Sequence, residues 1–373
     1  MPPSHGSDRD PAGIDAPERH VSHHATAHAL RAGERWLRKA GLRLIGYLIL
    51  AFLVIKLIPG LRETLEDLER LSLPWLAAVL ALEVLSEIGF VISWHAIVDP
   101  DSRLGRGGNG RIDVRLAWAQ LGAGMFVPGG SLSSVGAGAW LLHRLGMPFK
   151  LIAARQLNLS FLNTAVDAVA LVVVGVGLAT GILSGEGDLA LTLLPAALAA
   201  LGIAAALLAA AHAKRRAPVR TSHRRIDAAV SALADAVQDT GRLLVHRAGL
   251  RSVVGALGYL CFDVLVLYTA LLAIHADPQP TFGVVVMAYI IGALGGSIPL
   301  PASIGTVAGI VGMLIVYGTG RDAAVAAVVL YQAVGLLVPI VGGGIAYLLL
   351  RREFRAARGG PEQTPARTSV IRL

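Results

Sequence analysis

Apolar runs of about the length needed to cross a bilayer alternate with short polar stretches along most of this chain. The pattern predicts full spans near 43–58, 74–98, 157–183, 189–211, 253–274 and 323–350. Two further apolar runs are interrupted. The first break is Phe126-Val127-Pro128-Gly129-Gly130-Ser131, and the second is Ile298-Pro299-Leu300-Pro301-Ala302-Ser303-Ile304-Gly305. Broken backbone at membrane depth strands N–H and C=O groups that lipid cannot satisfy, so such breaks persist only beside protein or a polar cavity. Paired breaks of this kind mark substrate sites in transporters. Pro128, Gly129 and Gly130, with Pro299, Pro301, Ser303 and Gly305, are therefore candidate site residues. The expected fold class is all-α: a polytopic integral membrane protein with about six full-span helices and two Pro/Gly-broken hairpins, re-entrant or half-helical.

Charge sets the expected topology. Arg31, Arg35, Arg38, Lys39 and Arg43 precede the first span and place the N-terminus in the cytoplasm. Leu61 to Leu73 is amphipathic and reads as lying along the outer surface. The run at 117–142 has Arg111 and Arg115 before it and Arg144, Lys150 and Arg155 after it, so a hairpin entering from the cytoplasm keeps all of them inside. The loop 212–251 is strongly basic and carries an interfacial helix pattern at 226–245. Arg351, Arg352 and Arg355 place the C-terminus inside as well. If the second break is also re-entrant, its hairpin enters from outside, and the two tips meet in an inverted-repeat arrangement. A second break joining two full crossings satisfies the same charge pattern.

Composition narrows the class. The chain has 373 residues, 54% hydrophobic and 16% charged, with mean hydropathy +0.63. The net charge of +8 lies beside the apolar runs, as topology anchors and contacts to anionic lipid rather than as a nucleic-acid surface. The single Cys261 excludes an intramolecular disulfide. Residues 1–29 read as a disordered polar tail, and His20, His23, His24 and His28 lack the carboxylate or thiolate that would complete a metal set. No cofactor and no cleavable signal peptide are expected. The membrane domain is expected at 30–355 and a second disordered tail at 356–373.

Ionisable groups inside spans each need a reason, since one costs at least about 2.5–3.5 kcal/mol at bilayer depth. Glu83 and Glu87 share one face of the second span, with His95 further along it. Asp167 and Asp263 lie in the spans that follow the first break and precede the second. Arg155, Asn158 and Asn163 lead toward Asp167 from the cytoplasmic side. Helix–helix pairing explains these residues as well as a hydrophilic furrow does, and His95 reads as a span-end residue.

Leu260-Cys261-Phe262-Asp263, Ala288-Tyr289 and the break from Ile298 to Gly305 resemble the membrane domain of lysylphosphatidylglycerol synthases and related stand-alone, flippase-like membrane proteins. Pro128-Gly129-Gly130 resembles the family's first break, and Arg155 through Asp167 its "E-R-x-x-D" region, from which Gln156 and Leu157 depart. Ala302 and Ser303 stand where the family has glycines, Ala308 where it has an acid, and Gln332 where an Arg follows the Tyr. The likeness covers roughly 40–355, and the short polar tail beyond leaves no room for a soluble aminoacyl-transferase module. The resemblance implies the translocation half of such a system.

The expected function is a non-enzymatic translocase of a lipid or lipid-linked substrate in a bacterial cytoplasmic membrane. Its expected pathway residues are Glu83, Glu87, Arg155, Asn158, Asp167, Asp263 and Gln332. Expected partners are membrane phospholipid or a lipid-linked substrate, with a separate lipid-modifying enzyme as a further candidate, and no nucleic acid. The alternatives are a non-transporting scaffold for such an enzyme, or a proton-coupled transporter of small solutes. A lipid-modifying transferase is disfavoured by the short external loops.

Overall fold

The computed structural model describes residues 72–100, 112–126, 131–185, 189–215, 247–294 and 304–359, all within the unit Ala51–Leu373. They form helices α1 (Leu73–Val98), α2 (Ile112–Phe126), α3 (Ser131–Arg144), α4 (Phe149–Ala179), α5 (Leu189–Arg215), α6 (Arg247–Ala273), α7 (Phe282–Ala293), α8 (Ile304–Val316) and α9 (Arg321–Gly359). Among the described residues there is no strand.

Five of these helices, α1, α4, α5, α6 and α9, are long and apolar enough to cross a membrane. The sixth expected span, 43–58, lies outside the described residues, as do the amphipathic segments at 61–71 and 226–245 and the N-terminal tail. Pro74 falls in the first turn of α1, where a missing N–H removes no helical bond. Helix α4 begins at Phe149, well before the expected 157, because the polar residues of its first turns favour a helix end without stopping it. Helix α9 continues to Gly359 and so takes in residues assigned above to the C-terminal tail.

The surface is inside-out by the standards of a soluble protein. On α5, Leu201 and Leu208 are 66% and 70% exposed, whereas Glu83, Glu87 and Asp263 retain only 4%, 3% and 6% of their exposure. Apolar outside and carboxylate inside is the distribution that a lipid surround selects.

Helices α1 and α6 form the spine. Ser93 meets Gly255, Gly89 meets Tyr259, and the Ser86 hydroxyl donates to the Tyr259 carbonyl at 3.0 Å, so the two helices run antiparallel. A Cβ on Gly89 would stand 2.5 Å from the Tyr259 amide nitrogen, and one on Gly255 2.6 Å from that of Ser93. Only glycine allows backbones this close. The contact is reciprocal, since each glycine faces the residue one turn beyond its counterpart.

That reciprocity extends through the bundle. Exchanging α1–α4 with α6–α9 carries neighbours onto neighbours. Helix α2 packs on α9 as α7 packs on α4; α2 packs on α3 as α7 on α8; α1 packs on α4 as α6 on α9. The pairs α3·α4 and α8·α9, and α1·α2 and α6·α7, correspond in the same way. Because α1 and α6 are antiparallel, the relating axis crosses the helices, and the two halves are inverted with respect to each other. Helix α5 packs on α4 and has no counterpart among the described residues.

The broken runs form the two hairpins α2–α3 and α7–α8. With 15, 14, 12 and 13 residues, their arms are each no longer than about 22 Å, short of a hydrocarbon core of ~30 Å. Helix α2 starts where α1 and α9 finish and α4 begins: Asp113 lies beside His95, Arg115 pairs with Glu353, and Arg155 donates to the Val98 carbonyl. Helix α3 returns to that same end, four residues before α4. Helix α7 starts at the opposite end, where Gly283 meets Leu178 of α4, and the chain leaves α8 toward Gly320, beside the Asp277 carbonyl. Each hairpin therefore enters and leaves at one end, and the two ends are opposite. The turns themselves, with Pro128, Gly129, Gly130, Pro299, Pro301 and Ser303, lie outside the described residues. Gly305 is buried in the first turn of α8.

Candidate functional site

The acidic residues of the spine converge. Glu83 and Glu87 project from α1 and Asp263 from α6, all buried. Asp263 Oδ2 accepts hydrogen bonds from Tyr289 of α7 and from Tyr331 of α9, the latter at 3.2 Å. The two tyrosine rings meet edge to face at 6.1 Å. Tyr259, one turn before Asp263, stacks edge-on against Phe90 at 5.8 Å and locks α6 to α1. Asp263 is the common neighbour: Glu83, Glu87 and, on α4, half-buried Asp167 all lie within electrostatic range of it.

Compensation is missing from this cluster. Among the described residues no Lys, Arg or His is ion-paired with any of the four carboxyl groups. Glu83 Oε2 and Glu87 Oε2 are buried with no hydrogen-bond partner. On α9, a Cβ at Gly335 would lie 3.6 Å from Glu83 Oε1. Pro339, one turn on in α9, has no N–H to return to the Gly335 carbonyl.

A second, neutral network occupies the first half. Trp94 Nε1 donates to Gln120 Oε1 at 2.9 Å, and the Gln120 and Gln156 amides bond reciprocally at 3.0 and 3.2 Å. It ties α1, α2 and α4 together as the Asp263–Tyr289–Tyr331 set ties α6, α7 and α9. Gly138 of α3 leaves the space that the Gln120 side chain fills.

The structure brings together Glu83, Glu87, Asp167 and Asp263 among the expected pathway residues. Arg155 does not join them. Its guanidinium sits at the end of α1, on Val98, roughly 16 Å along that helix from Glu87. Asn158 and Gln332 are half-buried, and neither makes a side-chain hydrogen bond among the described residues. Asn163 shares the face of Asp167 one turn away, and its Oδ1 is buried without a partner. His95 Nδ1 lies 2.7 Å from Asp113 Oδ2, which fits a helix-end pairing. Tyr289 and Tyr331 were not among the expected site residues. Their signal was a hydroxyl in an otherwise unbroken apolar run, where a phenol needs a partner.

Comparison with known families decides what architecture this is. The model of the lysylphosphatidylglycerol synthase TM region matches residues 43–343, well over half of the chain. The chain belongs to that family. No curated protein matches it. Family membership and the five long apolar helices make this a multi-pass integral membrane protein. The matched segment takes in both hairpins and Glu83, Glu87, Asp167 and Asp263.

Proposed function

We propose that this protein translocates a lipid or lipid-linked substrate across the bacterial cytoplasmic membrane. The head group passes through the polar interior around Asp263 while the acyl chains stay in lipid. The observation that carries this reading is the Glu83–Glu87–Asp263 cluster, buried in a bundle with an apolar exterior and ion-paired with no cation among the described residues. Carboxylates held unpaired at such depth are costly, and a site that receives a cationic group is a reason to keep them. The family's name supplies one such head group, the lysyl ester of phosphatidylglycerol.

The hairpin geometry supports the same reading. Arms too short to cross the hydrocarbon core, starting from opposite ends of the bundle, fit re-entrant segments. Arg115, Lys150, Arg155, Arg251, Arg351 and Arg352 gather at the end where α1 finishes, whereas Arg321 is the Lys or Arg of the described residues at the other. By the positive-inside rule the first end is cytoplasmic, and with it the C-terminus. On this reading the protein carries out no bond-making chemistry, and its partner is membrane phospholipid or a lipid-linked substrate. A lipid-modifying enzyme supplies the substrate or consumes it.

The test is a leaflet-exchange assay on purified protein in liposomes. Phosphatidylglycerol, lysylphosphatidylglycerol and a polyprenyl phosphate, each carrying a fluorophore on the lipid tail, are bleached from outside with a membrane-impermeant reductant. Faster loss of the inner-leaflet signal than in empty vesicles, for at least one of the three, supports the proposal. Rates equal to empty vesicles for all three remove it for these lipids and shift weight to a scaffold role.

A further inference from the structure

The acidic cluster divides into two kinds of carboxyl group. Asp263 Oδ2 takes two phenolic O–H donors, which is the environment of an acceptor-only carboxylate. Glu83 and Glu87 have the opposite surroundings. Each has an Oε2 that no donor reaches, although more than nine-tenths of each residue is buried. Gly335 of α9 leaves the space beside Glu83 open, since a Cβ there would stand 3.6 Å from Glu83 Oε1. With no donor among the described residues at either Oε2, a neutral carboxylic acid costs less than an anion at these two positions.

We propose that Glu83 and Glu87 form a proton-carrying pair that couples head-group passage to a proton gradient. This rests on the translocase reading above and adds its energy source. In the closed bundle each glutamate holds a proton on a carboxyl oxygen. When the interior opens to one face of the membrane, the O–H bond breaks and the proton leaves to water, and the freed carboxylate takes up a cationic head group in its place. The reverse exchange at the other face returns a proton from water to the same oxygen. No oxidant, nucleotide or other reactant enters the balance.

The groups that face the pair come from every neighbouring helix. On α6 they are Asp263 and Tyr259 and on α9 Tyr331, while Tyr289 of α7 and Asp167 of α4 lie around Asp263 itself. All are anionic or neutral, so proton binding is what lowers the charge of the cluster when no substrate cation is present. Glu83 and Asp263 lie on the same side of the Gly89–Gly255 crossing, toward the end of the bundle where α1 starts and α6 finishes.

The experiment uses the full-length protein and two readouts. Infrared spectra of purified wild type at neutral pH are compared with Glu83→Gln and Glu87→Gln, each of which keeps the size and neutrality of the protonated side chain. Loss of absorption in the protonated-carboxyl C=O region in the variants supports the proton pair; loss confined to the ionised-carboxylate bands overturns it. In proteoliposomes, tail-labelled lysylphosphatidylglycerol is then followed under pH gradients of opposite sign. A final leaflet distribution that follows the sign of the gradient in wild type supports coupling. Movement of the lipid to the same distribution under both gradients overturns the coupling alone. No movement above empty vesicles overturns the coupling together with the translocase reading, for that lipid.

Discussion

Gly89 of α1 and Gly255 of α6 face each other across an antiparallel crossing with no room for a β-carbon on either side. The displaced atoms are backbone, the Tyr259 amide nitrogen at 2.5 Å and the Ser93 amide nitrogen at 2.6 Å. Neither partner is a flexible side chain that can step aside. Alanine at either position forces the spine apart, at a cost of about 1–3 kcal/mol for each overpacked contact. Thermal melts of the purified variants in detergent are expected to fall for Gly89→Ala and Gly255→Ala. Gly202→Ala on α5, where nothing lies within 4 Å, is expected to leave the melt unchanged or raised.

Tyr289→Phe and Tyr331→Phe keep both rings and remove the two hydroxyls that donate to Asp263. A buried acceptor that loses a donor costs about 1–3 kcal/mol, more when it is charged. Each single variant is expected to fold and to slow head-group transfer by roughly tenfold, on that scale. The double variant is expected to lose more than the product of the two, because it leaves Asp263 with no donor from either tyrosine. Initial rates in the leaflet-exchange assay check this, and additive losses would show that the two hydroxyls act independently.

The Trp94–Gln120–Gln156 network is expected to matter for stability and not for transfer. Gln120→Leu leaves the Trp94 indole N–H and the Gln156 amide unpaired, at about 1–3 kcal/mol. Adding Gln156→Leu is expected to recover part of that loss, since removing both partners is cheaper than removing one. A melt that drops further with the second change contradicts the hydrogen-bonded arrangement.

Arg115 and Glu353 fasten α2 to the end of α9, with side chains 18% and 32% exposed. A pair this close to water contributes at most about 1 kcal/mol and weakens with salt. Arg115→Glu is expected to lower the melt modestly, and the reversal Arg115→Glu, Glu353→Arg to restore it at low ionic strength. Failure of the reversal to restore it would place the contribution of Arg115 in another contact.

The sequence made legible those features whose physics is local. Spans follow from run length, the breaks from Pro128 and Pro299, and the acidic residues from their cost in lipid. Charge left the second break open between a hairpin and two full crossings, because either arrangement keeps the basic loops on one face. What the sequence withheld depends on which faces meet. Nothing in the spacing of Gly89 and Gly255 says that they touch, because glycine is common throughout these helices. Tyr289 and Tyr331 lie far from Asp263 in sequence, and their hydroxyls acquire meaning only when α6, α7 and α9 pack together. Arg155 lies apart from the acidic cluster for the converse reason. Charge in a helix reads the same whether it points along a furrow or, as here, back to the Val98 carbonyl at a helix end.

The central claim is that Asp263 anchors a head-group pathway and not merely a helix contact. Asp263→Asn tests it most directly, because the amide oxygen still accepts from both tyrosines while the charge is gone. The account predicts a variant that melts close to wild type and moves no labelled lipid faster than empty vesicles do. A folded Asp263→Asn protein that exchanges the lipid at the wild-type rate would contradict it.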